Sequence, residues 1–93
     1  MTANAAAKAM SDDDFYSLFG DSTLLVTGSV ASSKPTAGGT LVSFATSSAF
    51  GAACQVETAR VDLKPGTAVT FVTQAEAANR EPGSLLLTGC VQP

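Results

Sequence analysis

From Thr23 onward the chain advances in short stretches rich in Thr, Val and Leu, each interrupted by a cluster of Gly, Pro or Ser. Such punctuation specifies strands and turns. Strands are expected near Thr23–Val30, Thr40–Thr46, Cys54–Leu63, Thr67–Gln74 and Leu85–Val91, with loops at Ala31–Gly39, Ser47–Ala53, Lys64–Gly66 and Ala75–Ser84. Lys64-Pro65-Gly66-Thr67 fits a tight turn, because Pro presets the first central position and Gly accepts a positive φ at the second. This turn predicts a hairpin between the third and fourth strands. Within Thr67–Gln74, Val69 and Phe71 share one face and mark it as core. The third strand changes phase: Cys54, Val56 and Thr58 have one parity, Val61 and Leu63 the other, which implies a bulge near Ala59 or two short strands meeting there. Arg60 and Asp62 share a strand face as an exposed polar pair.

The apolar inventory limits what this sheet can enclose. Of the 93 residues 45% are apolar, but 16 are Ala and 2 are Cys; there is no Trp, His or Ile. This supports one domain with a thin core and leaves little room for a deep substrate pocket. The expected fold is mainly β, a small antiparallel sandwich or barrel of five to six strands with an extended N-terminal arm and one short helix. The arm is residues 1–10, alanine-rich and nearly without bulky groups, and it should be extended or frayed unless it lies against something. Residues 11–93 form the single small β domain, opened by a helix over 11–19. There Ser11 and Asp12-Asp13-Asp14 suit a helix start, Phe15, Leu18 and Phe19 share a face, and Gly20 suits a stop.

Charge and motifs exclude several chemistries. The net charge is −3, and all of it arises in residues 1–22, where Lys8 faces Asp12, Asp13, Asp14 and Asp21. The five basic residues are scattered, which argues against nucleic-acid binding through a phosphate-neutralising patch. No apolar run has the length of a membrane span, and the first ten residues lack the pattern of a secretory signal. With no His, triads of the Ser-His-Asp or Cys-His kind cannot form within the chain. Neither a dinucleotide fingerprint nor a phosphate loop occurs. No catalytic, cofactor-binding or metal-ligating residue is therefore assigned. Three consecutive Asp on a helix point in different directions, so Asp12, Asp13 and Asp14 are read first as helix-start residues and second as a contact for a basic partner. An enzymatic alternative would have to use these carboxylates or residues lent by a partner.

Two further groups are singled out. Cys54 and Cys90, 36 positions apart, are either buried free thiols or a disulfide, and the spacing leaves both readings open. Phe15, Tyr16 and Phe19 either cover the sheet or anchor a neighbouring subunit. The combination suits a non-enzymatic structural or assembly protein working in many copies, such as a small virion protein that decorates or cements a capsid. Its expected partners are copies of itself and a larger assembly such as a capsid shell, without nucleic acid, membrane or cofactor, in a virion or the cytoplasm. The alternative is a surface binding or adhesion module held by a Cys54–Cys90 disulfide.

Overall fold

A computed structural model describes residues 1–20, 22–47, 49–56 and 63–92. The elements in order are α1 (Ala3–Ser11), α2 (Phe15–Phe19), β1 (Thr23–Thr36), β2 (Gly39–Phe44), β3 (Gly51–Val56), β4 (Ala68–Gln74), β5 (Ala78–Glu81) and β6 (Ser84–Cys90). The expected bulge near Ala59 and the Arg60/Asp62 pair lie outside the described residues.

The protein is mainly β, as its sequence rhythm implies, with one six-stranded sheet ordered β4-β1-β2-β3-β6-β5. The sheet is mixed and not purely antiparallel, because β3 and β6 run parallel. It curls until β6 reaches β4: the Val72 N–H donates to the Val91 carbonyl at 2.8 Å, and the Val91 N–H to that of Val72 at 3.0 Å. Thr73 adds a hydroxyl bond to the Thr88 carbonyl at 2.8 Å across the same seam. A partly open barrel results, with β5 as an extra strand on β6.

β1 is much longer than its apolar stretch suggested, because it serves two neighbours. Thr23–Ser29 pair with β4 and Val30–Thr36 with β2, and Ala31 is the extra residue where the register slips. Such a bulge bends the strand and redirects it. The segment expected as the loop Ala31–Gly39 is thus mostly strand, closed by a tight turn at Ala37-Gly38. The Lys64–Thr67 turn forms as the sequence predicts, with the Thr67 N–H donating to the Lys64 carbonyl at 3.1 Å and Gly66 at φ 90°. Among the described residues the hairpin expected around it does not form. β3 is occupied on both edges by β2 and β6, and β4 lies on β1. Instead the turn docks on Val30, whose carbonyl accepts from the Gly66 N–H at 2.8 Å. Turn chemistry fixes a local reversal and leaves open which strands it joins. The expected loop Ala75–Ser84 likewise contains a 3-10 turn at Ala75–Ala77 and β5.

The largest departure concerns the arm. Residues 3–11 are a helix that closes the core, with Ala3, Ala6, Ala7, Ala9 and Met10 all buried. Thr2 caps it, its hydroxyl accepting from the Ala5 N–H at 3.1 Å. The first residues also add to the sheet edge: the Met1 amino group donates to the Leu25 carbonyl at 2.7 Å, and the Thr27 N–H donates to the Met1 carbonyl at 2.9 Å. Small side chains are what make the seat possible. A Cβ on Gly28 would lie 2.9 Å from Phe44 Cδ1 and 3.0 Å from the Ala3 Cβ, so glycine below and alanine above let helix and strand approach.

The expected helix over 11–19 is also redrawn. Ser11 is the last residue of α1 and Asp12 follows as its C-cap; Asp13 turns the chain at φ 63°, and Asp14 precedes a helix of only five residues. Asp14 makes no side-chain capping bond. A helix this short presents little more than one turn, so Phe15 and Phe19 face the body while Leu18 is 65% exposed.

Candidate functional site

The acidic run is splayed by the junction between the helices. Asp12 Oδ2 pairs with Lys8 Nζ at 2.8 Å, one helical turn back, whereas Asp13 pairs with Arg80 of β5. The hydrogen bond from Lys8 to Asp12, aided by its charge, holds the lysine above its ordinary pKa. Arg80 also lies 5.8 Å from the centre of the Phe50 ring. Among the described residues no three His, Cys, Asp or Glu side chains converge to hold a metal ion.

Lys8, Asp12 and Phe50 border a groove of about 660 Å³ between the outer face of α1 and the chain near Phe50, lined also by Asn4 and Ser47 among others. Asn4 Oδ1 accepts from the Ser47 N–H at 2.9 Å and ties its two walls together. What the groove offers is an ion pair already formed and a ring already covered by a guanidinium. A ligand would have to displace those partners.

Phe15 and Phe19 cover the body as the first of their two readings has it, and Tyr16 lies beside them. Phe15 is fully buried and meets the edges of Tyr16 at 5.6 Å and Phe19 at 5.0 Å. Tyr16 donates its hydroxyl to the Ala78 carbonyl at 2.8 Å, yet 52% of the residue is exposed. The structure therefore brings the aromatics together as a peg that ties α2 to β5, with Tyr16 alone turned substantially outward.

A row that sequence reasoning missed runs across the barrel seam. Leu25 of β1 is directly opposite Val72 of β4, and Val72 is bridged to Val91 beyond the end of β6. All three lie on the outer face, with Leu25 51% and Val91 39% exposed. The signal was present in Leu24-Leu25-Val26, where apolar residues occupy both parities of a strand that has one buried face. The outer face of β2 and β3 carries a shallow pocket of about 320 Å³ lined by Leu41, Ser43, Ala53, Ser84, Leu86 and Glu81 among others. Its lining has one carboxylate and no cation, which gives a phosphate backbone nothing to neutralise it.

Cys54 and Cys90 are free thiols, both fully buried and neighbours on the parallel strands β3 and β6. The Cys90 thiol donates to the Leu87 carbonyl at 3.5 Å. The Cys54 thiol lies against that of Cys90, and this hydrogen bond first, with burial second, pushes Cys54 far above its ordinary 9.0. Native Cys54 stays protonated where the unfolded chain has already ionised, so its contribution to stability is complete below the unfolded pKa and declines above it. The reduced protein should lose stability as pH rises past about 9, at a slope approaching about 1.4 kcal/mol per pH unit. Urea unfolding at a series of pH values checks this, and Cys54→Ala should flatten the slope.

No protein-family model, curated protein or solved structure matches this chain. Strand order alone carries no function, so what the protein does has to be argued from its surfaces.

Proposed function

We propose that this is a non-enzymatic assembly protein that works in multiple copies, such as a small virion protein that decorates or cements a capsid. The observation that carries the reading is the outward apolar row Leu25–Val72–Val91, exposed at Leu25 and Val91 and half-buried at Val72, which runs from β1 across β4 to the residue after β6. Scattered apolar residues are normal on a surface, but a contiguous row on rigid strands costs solvation until another surface covers it. Strand-borne side chains also lose little conformational freedom when they dock. A shell or a second copy is the matching kind of partner, because shape-matched burial supplies affinity without chemistry, and repetition multiplies a modest contact. The acidic groups at Asp12, Asp13 and Asp14, all exposed, would sit against basic positions of the same assembly.

Light scattering or native mass spectrometry over a concentration range tests this, alone and with whatever larger assembly co-purifies. Species larger than the single chain, or stable binding to the assembly, are expected. Leu25→Lys should weaken that association by about tenfold or more while the circular dichroism of the body is unchanged. A strictly monomeric protein that binds no larger assembly would overturn the proposal. Undiminished association of the Leu25→Lys variant would move the contact elsewhere on the surface.

A further inference from the structure

We infer that Cys54 and Cys90 form a reversible disulfide in the native fold, a covalent staple across the parallel seam between β3 and β6. The inference is independent of the assembly reading and concerns how the body itself is held. It rests first on register. Cys54 is opposite Leu87 and Val56 is opposite Cys90, so two steps along β3 match three along β6. The extra residue falls at Thr88-Gly89, where Gly89 has a φ of 64°. Without that bulge the alternation that buries Leu85 and Leu87 would bury position 89 and turn 90 to the outside. With it, Cys90 faces inward beside Cys54, and both are 0% exposed. A glycine in the left-handed region is thus placed where it brings two thiols together.

Among the described residues no other titratable side chain sits beside the pair to compete for either sulfur: the Cys90 thiol donates to a backbone carbonyl, and the Cys54 thiol meets that of Cys90. The two cysteines are diagonal neighbours on adjacent strands, Cys54 lying two residues before the partner of Cys90, so closing the bond draws the end of β6 toward β3 until the Cα atoms are within disulfide reach. Both sulfurs are shielded, so the reaction starts from a local opening. Cys90, the last residue of β6, is reached through fraying of that strand, whereas Cys54 is flanked on both sides by β2 and β6.

With a small-molecule disulfide such as oxidised glutathione as oxidant, the exposed Cys90 thiol loses its proton and its sulfur attacks one sulfur of that disulfide. A mixed disulfide forms and one glutathione thiolate leaves. As the strand recloses, Cys54 loses its proton and attacks the Cys90 sulfur, which expels the second glutathione thiolate. The two protons given up by the cysteines are taken up by the two glutathione thiolates. The cysteine pair is oxidised by two electrons and glutathione disulfide is reduced by two. The closed ring spans 54–90, and in the chain-entropy account a ring of that length lowers the unfolding equilibrium constant by roughly several hundred-fold.

The test equilibrates the folded, reduced protein without denaturant against glutathione buffers of increasing oxidised fraction. The reaction is then quenched with acid, and the protein is alkylated in denaturant and its intact mass read. The expected product is a monomer that has lost two hydrogen atoms, takes up no alkylating agent, regains both thiols with excess reduced glutathione, and unfolds at a higher urea concentration than the reduced form. Two unchanged thiols at every buffer ratio, a persistent glutathione adduct, a disulfide-linked dimer, or an oxidised monomer less stable than the reduced one would each overturn the inference. Cys54→Ser should stop at the mixed disulfide on Cys90. If that variant does not fold, the wild-type measurement decides alone.

Discussion

A chain that lacks residues 1–11 is expected to lose its cooperative unfolding transition and bind hydrophobic dyes. The physical reason is the buried face of α1. Four alanine methyls at about 0.8 kcal/mol each, together with Met10 at about 2 kcal/mol, amount to roughly 5 kcal/mol of burial. Domains of this size are stable by only about 5–15 kcal/mol in total. The deletion also uncovers the strands on which α1 rests, including Gly28, so the loss exceeds that of the helix itself. A point variant separates this structural role from that of a detachable tail. Ala7→Glu places a carboxylate where the native residue is 0% exposed, and it should cost several kcal/mol. Urea unfolding followed by circular dichroism reads both. A truncated chain with the wild-type midpoint would mean that the helix is an ornament to the barrel.

Phe71→Ala should be the most damaging single truncation in the sheet, at about 3–5 kcal/mol. Its ring is fully buried, directly opposite Val26 on β1 and edge-on to Phe44 at 6.1 Å. It therefore joins the half of the barrel built on β1 and β4 to the half that begins at β2. Removing it leaves a void between surfaces that rigid strands cannot close. The urea midpoint should fall with little change in the slope of the transition, whereas Phe71→Leu, which keeps most of the volume, should cost markedly less. A loss below about 1 kcal/mol for the alanine variant would show that the two halves do not meet at this ring.

Much of the β body is legible from alternation. Val69 and Phe71 are inward as their parity implies, and so are Cys54 and Val56. What escaped was decided by partners far along the chain. The N-terminal alanines carry no bulky stripe, and they are buried because Gly28 lets a helix of methyl groups approach the sheet. That fit is a property of two surfaces, and neither segment announces it alone. Ala31–Thr36 have the composition of a loop but are held as strand by β2. The parallel pairing of β3 with β6 follows from no local signal, since the intervening chain includes a turn, a strand and a hairpin. Of the site residues, the Asp run and the aromatics were visible as clusters. Their splaying depended on Asp13 reversing the chain, and the outward row at Leu25 depended on which strands became its neighbours.

The bent first strand carries a consequence in time. Its second half meets β2 across a two-residue turn, a contact that forms in microseconds once both segments exist. Its first half must wait for β4, whose residues lie 39 to 51 positions after their partners, and α1 packs against β3 and β6 as well as β1. During synthesis the helix that closes the core emerges first and finds its complete seat last. Until β6 is made, the alanine-faced helix has only the part of its seat that β1 and β3 supply. Complete packing of α1 therefore depends on β6, a contact of large sequence separation of the kind that slows folding.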